Sequence, residues 1–427
     1  MSKFQIILLS VFGLFILLAV MVFALYRGGS SSQEATVTVW GDLPSEAISQ
    51  IIDTAVPNID KSLTIRYVEK SADSIDQEFT EALASGAGPD LLVVTQERFL
   101  KNKPKLIYIP YDSVGERDFG NSFVEEGELF LTKEGVYGLP LAVDPLVLYY
   151  NRDLLSAAGE ARPIAYWDEV YPMALKLTKK DPAGNLAQSV IALGETRNIP
   201  NFKEILSLLL LQAGTPVTES INANLRSALS NNYGLPVAPG ESALDFYTQF
   251  SNPAKAYYSW NRILPSAETH FASGDAVYYL GFASELSALR NKNPNLNLGI
   301  APVPQSRVSG KKLTFGRLYA VSITRGTRNA SAALRAALIL VSRDISEPLS
   351  KSLGLPPARR DILSGRQSDS ALSVFYESAL QARGWLDPEN VSTGNIFGEM
   401  VNAVTSGRAR TSEALGAASR SLDNLIK

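Results

Sequence analysis

Three aspartates stand where a carboxylate could do chemistry. Asp42 closes Trp40-Gly41-Asp42 after a β-rich run, Asp90 closes Gly88-Pro89-Asp90 before an apolar one, and Asp144 precedes Pro145 between two others. A pair of carboxylates can attack a glycosidic bond as acid and base or nucleophile. A single carboxylate can instead accept two hydroxyl hydrogens of a polyol in fixed geometry, binding without reaction. Flat rings suit that second role, because pyranose faces carry C–H groups that pack on aromatics. Trp40, Tyr149, Trp260 and Trp385 are candidates for it. Each has a plainer role open to it: a tryptophan in a loop also covers a core edge, and Asp90 also fits an Asx turn or helix cap.

Other chemistries find little support. The chain has no cysteine, which excludes disulfides, thiolate catalysis and cysteine-bound metals. Its one histidine, His270, cannot anchor a metal cluster, and no P-loop, GxSxG or HExxH occurs. No cofactor or metal is expected. With 45% hydrophobic and 19% charged residues the 427-residue chain is globular in composition, and its length suits about two domains. A net charge of −3 without a basic stripe argues against nucleic acid.

The elements that must position these residues read as α/β. Thr36 to Trp40, Leu63 to Val68 and Leu91 to Val94 have strand character. Helical spacing separates them, with Ile48, Ile51 and Ile52 in one stretch and Ile75, Phe79 and Leu83 in the next. Tyr137 to Asp144 leads into a further apolar strand, Leu146 to Tyr150. Longer helices follow at Trp167 to Leu177, Phe202 to Ala213 and Ala330 to Val341, with strands at Val277 to Leu280 and Leu296 to Ile300. Alternation of this kind builds a largely parallel sheet, whose ligands bind at the carboxyl ends of strands.

Ahead of all this, Phe4 to Tyr26 is uncharged and apolar. A helix of that length reaches about 34 Å, enough to span a bilayer core. Phe23-Ala24-Leu25-Tyr26-Arg27 is a poor cleavage site, so an uncleaved transmembrane signal anchor over 1–26 is expected, followed by a Gly/Ser linker at 27–35.

Five segments, in order, resemble the family 1 extracellular solute-binding proteins, the group that includes maltose-binding protein. They are Gly88-Pro89-Asp90 with its apolar strand; Tyr137 to Leu155; Phe271-Ala-Ser-Gly-Asp-Ala-Val277; Gly299-Ile-Ala-Pro-Val-Pro304; and Thr405-Ser-Gly-Arg with Glu413-Ala-Leu. The resemblance covers nearly all of residues 36–427. It implies an α/β, two-lobe periplasmic-binding-protein-like clamp with hinge crossings near Ala142 to Pro145, Gly299 to Pro304 and Arg343 to Glu347. Lobe 1 would hold 36–143 plus 301–343, and lobe 2 would hold 144–300 plus 344–427. The implied function is capture of a small solute, a sugar above all, for delivery to the permease subunits of an ABC importer from the outer face of the membrane. A tethered carbohydrate-active enzyme and a surface sensor on the same fold are the alternatives. Many relatives place a tryptophan after the Phe-x-x-Gly strand; here Phe282 and Ser284 occupy that segment and join the candidate set, as does Tyr319.

Overall fold

The computed structural model describes residues 34–426 apart from 222, 223, 309 and 366. The expected span Phe4 to Tyr26 and most of the linker lie outside the described residues. Among those described, no helix is long and apolar enough to cross a membrane.

The chain opens as the alternation requires. Strand β1 (Ala35–Gly41), helix α1 (Ser45–Ile59), strand β2 (Leu63–Glu69), helix α2 (Ile75–Ala84) and strand β3 (Leu91–Thr95) follow one another. β1 pairs in parallel with both β2 and β3. β2 alternates buried and exposed side chains, whereas β3 is buried throughout, as a central strand covered on both faces must be. Helix α3 (Gln96–Asn102) starts directly at the carboxyl end of β3.

The pivot of the molecule is β4 (Leu139–Asn151), thirteen residues long. Strands β5 (Leu186–Ile191) and β6 (Ala276–Phe282), helix α4 (Phe202–Ala213) between them, and β7 (Leu298–Ala301) belong to the second lobe. Strand β8 (Thr314–Thr324) belongs to the first. β8 pairs antiparallel with β4 over Leu139 to Pro145; β6 and β7 pair with β4 over Leu146 to Asn151. One strand therefore passes from lobe to lobe at Pro145, which has no N–H for a ladder and stands opposite Gly316. The sheet runs β2-β1-β3-β8-β4-β6-β5 across both lobes. α4 is buried along nearly its whole length and stops at Gly214, whose φ of 90° suits a residue without Cβ.

Helices α5 (Ala330–Leu340), α6 (Arg343–Leu353) and α7 (Ser370–Leu380) follow, then the two-residue strand β9 (Ala382–Arg383) and the closing helices α8 (Asn390–Thr405) and α9 (Thr411–Ile426). Residues 344–363, expected in lobe 2, pack on lobe 1 instead. α6 buries Ile345 and Leu349, and it packs on α1. The segment after it bonds the first-lobe half of β4, Val143 N–H to Pro356 C=O and Ala358 N–H to Leu141 C=O. No crossing occurs at Arg343 to Glu347, because the apolar face of α6 fits α1. β9 pairs with Thr314 and Phe315 at the start of β8, and beyond it Trp385 and Asp387 bond Ser207 and Lys203 of lobe 2.

Candidate functional site

The carboxyl ends of β1 and β3 lie side by side, and each delivers charge. Asp42 follows β1; Gln96, Glu97 and Arg98 begin α3. Arg98 pairs with Asp42 at 2.9 Å. Gln96 fixes this corner to β8, donating to Gly316 C=O at 2.8 Å and accepting from Leu318 N–H at 2.9 Å. The hinge strands supply the floor. Arg317 of β8 stands across from Asp144 of β4, and its Nε lies 2.9 Å from Glu97 Oε2. Its other arm points to Glu204 at 3.8 Å, on the first turn of α4 in lobe 2. Beside Glu204, Lys203 pairs with Asp387 at 2.8 Å and donates to Asn390. The Arg317 guanidinium rests 4.4 Å from the Phe282 ring, and Ser284 N–H donates to Asp144 Oδ1 at 3.0 Å. Both lobes and the hinge thus meet in one buried polar cluster.

Several polar atoms in it are buried without a protein partner: Asp42 Oδ1, Glu97 Oε1, Arg98 Nη1, Asp144 Oδ2 and both oxygens of Glu126. Such atoms are costly unless a ligand or solvent meets them. Burial pushes the Asp144 carboxyl above its ordinary range, against the opposing pull of Ser284 and Arg317. Burial acts the same way on Glu97, but Arg317, Lys203 and Arg98 outweigh it and hold that carboxyl low. Glu126 has no such neighbour in contact and rises to about 8, mainly through burial. Its carboxylate lies against Gly316 and Gly384; a Cβ at either glycine would meet it at 2.5 and 2.6 Å. Among the described residues no three acids gather closely enough to hold a metal ion.

The expected residues divide. Asp42, Asp144, Phe282, Ser284 and Tyr319 belong to this cluster; Arg317, Asp144, Asp42 and Glu97 all lie close enough to Tyr319 to act on its hydroxyl. Trp40 is at its margin, half-buried, with the Lys70 ammonium 4.2 Å over its ring. Asp90 is elsewhere. It precedes β3, at the amino end, and both oxygens are engaged, by Thr38 N–H at 2.9 Å and the Thr327 hydroxyl at 2.7 Å. That is the turn-locking role rather than one toward ligand. Tyr149 is enclosed, its hydroxyl donating to Phe282 C=O at 2.7 Å. Trp260 is 0% exposed, its indole N–H on Asn198 and its ring edge against His270. Trp385 stacks on Phe397 and donates to Ser207, so its ring packs within lobe 2 beside Lys203. The sequence reading passed over Gln96-Glu97-Arg98, Lys203-Glu204 and Arg317. Their signal was available: a charged triplet directly after an apolar strand, and single charges inside apolar runs.

The comparisons agree with this architecture. The profile of a family described as bacterial extracellular solute-binding protein matches residues 58–373. A protein of Brucella abortus named as a binding protein is 22% identical over 302 residues, covering 70% of this chain and 69% of its own. A cyclo/maltodextrin-binding protein complexed with maltotetraose superposes with a TM-score of 0.75 at 16% identity, covering 92% of this chain and 97% of that one. A cyclic α-maltosyl-1,6-maltose binding protein from Arthrobacter globiformis gives 0.75 at 15%, covering 92% and 99%. A solute-binding protein from Thermotoga lettingae bound with α-D-tagatose gives 0.66 at 20%, covering 92% and 100%.

Proposed function

The chain belongs to the bacterial extracellular solute-binding protein family, and on that premise we propose that it captures a carbohydrate between its two lobes and delivers it to the permease of an ABC importer. The family and its structural neighbours are binding proteins, not enzymes, so the carboxylates of the cluster bind rather than cleave. One observation carries the proposal. Where the strand ends of lobe 1 meet the hinge, Asp42, Glu97, Arg98 and Asp144 each keep a buried polar atom without a partner. Hydroxyl groups are the complement of such a wall, each able to donate to a carboxylate and accept from a guanidinium. Neighbours whose bound ligands are maltotetraose and tagatose support a saccharide over a peptide.

Placement follows from the sequence. The apolar run from Phe4 to Tyr26 tethers the receptor to the membrane, with residues 36–427 on the outer side. Protease applied to intact cells should release the large domain and leave a short membrane fragment; a mature chain beginning after residue 26 contradicts the tether. The binding proposal is tested by a thermal-shift panel of saccharides, polyols, peptides and polyamines. A ligand specific to the folded state raises the melting temperature. Stabilisation by saccharides is expected; stabilisation by peptides alone overturns the proposal.

A further inference from the structure

Glu126 is a buried acid to which solute capture gives no part. It lies on the turn Glu125–Phe130 of lobe 1, where Val124 N–H donates to Ala358 C=O and Gly127 fits against Pro140 and Phe119. It is 2% exposed, and among the described residues neither carboxyl oxygen has a hydrogen-bond partner. What covers it is the hinge. β9 pairs with β8 at Ala382–Thr314 and Arg383–Phe315, and Gly384 and Gly316 are the next residues along. A Cβ at Gly316 would stand 2.5 Å from Glu126 Oε2, and one at Gly384 2.6 Å from Oε1. The carboxyl is thus seated at the fork where two crossings part. Gly384 leads directly into Trp385, whose ring is held in lobe 2 by Ser207 and Phe397. Rotation of lobe 2 carries Gly384 with it and opens the carboxyl to water.

The charges round this seat do not hold an ionised Glu126. Glu97, from α3, opposes it; Arg383, from β9, favours it, but that guanidinium is bound to Glu125. Arg317, beside Gly316, is turned to Glu97 and Glu204. Gln96 is neutral and engaged on β8. Phe119 and Pro140 carry no charge, and Glu116, Arg117, Asp118 and Glu128 are exposed to solvent. Burial therefore decides: it favours the protonated carboxyl and pushes its pKa to about 8. In water the same group returns to the ordinary carboxylate range.

We infer that closure of the two lobes takes up a proton at Glu126, so that the clamp closes more readily in acid than in alkali. This goes beyond the carbohydrate proposal and needs no particular solute, since it stands on the hinge. The sign follows from the raised pKa of the covered carboxyl. The advantage of the closed form is full below the ordinary carboxylate range, falls about tenfold per pH unit above it and is gone above about pH 8.

The chain has no cysteine, so two can be added for dye labelling. Ala72→Cys, beyond β2, and Arg197→Cys, beyond β5, place dyes on exposed residues past strand ends of opposite lobes. Energy transfer is read on the intact chain, without solute, from pH 6 to pH 9. Transfer should fall as pH rises. With Glu126→Gln added, which keeps the shape of the neutral acid, it should stay at its pH 6 level throughout, with melting curves as the check on folding. Gly384→Ala, whose methyl takes the place of Oε1, should lower transfer already at pH 6. A flat trace in the parent pair, a fall that Glu126→Gln leaves unchanged, or full transfer in folded Gly384→Ala overturns the inference. None of these touches the carbohydrate proposal, which the thermal-shift panel decides by itself; a pH-dependent trace in a chain that no saccharide stabilises would leave the hinge proton standing without it.

Discussion

Arg317 and Asp144 face each other in the β8–β4 ladder at the step where β4 leaves one lobe for the other. The guanidinium also pairs with Glu97 at the end of β3 and reaches toward Glu204 in lobe 2. One side chain thus links the strand-end corner of lobe 1, the hinge and lobe 2. A hinge with charged groups so placed couples ligand contact to lobe position: a ligand that meets these groups better in the closed form shifts the population toward it.

Removal of that link should cost stability. Arg317→Met leaves Glu97 buried with its main partner gone. Breaking a fully buried pair costs about 3–5 kcal/mol, but the Arg317 side chain keeps 27% exposure, so about 2–3 kcal/mol is expected. Urea unfolding of the variant measures it. A loss under about 0.5 kcal/mol would mean solvent screens the pair as it does a surface one.

Glu126 predicts a pH dependence of stability. Its folded pKa lies near 8, above the ordinary carboxylate value, because burial disfavours the ionised form. The native state therefore holds a proton that the unfolded chain has released across the interval from about 4.5 to 8. Stability is full below that interval, falls as pH rises through it and levels above about 8. Glu126→Gln should remove this component. Its melting temperature should gain on wild type between pH 5 and pH 8; a constant difference over that range contradicts the buried neutral acid.

Trp260→Ala should act on folding first. The ring is fully enclosed and its N–H is satisfied by Asn198. Deletion of so large a buried side chain costs about 3–5 kcal/mol. Chemical denaturation of the variant should show that loss. Intact stability with lost saccharide binding would instead place Trp260 at the ligand.

Much of the fold was legible locally. β1, β2, β3 and α4 lie within a residue or so of where periodicity put them, because each buries a continuous apolar face or run. β4 was split in two by Pro145, which locally reads as a break; only the handover from Gly316 to Phe282 makes it one strand. β8 was not read as a strand because Gly316 and Arg317 interrupt its pattern, and its partners lie far away in the chain at Thr95 and Asp144. The site was half legible for a related reason. Strand ends point to Asp42, but the same rule, applied to the carboxyl end of β3, selects Glu97 and Arg98 rather than Asp90 at its amino end. An aromatic in a polar loop does not disclose whether a partner such as Asn198 or Phe397 already covers it.

The most direct measurement is a crystal structure of the chain with the saccharide that most raises its melting temperature. The ligand is expected between the lobes, in hydrogen-bond reach of Asp42, Glu97, Arg98 and Asp144, with Arg317 beneath it. A second location is available, a cavity of about 390 Å³ in lobe 2 walled by Trp167, Tyr171, Leu209 and Phe246. A saccharide found there, with the hinge cluster untouched, would contradict the account.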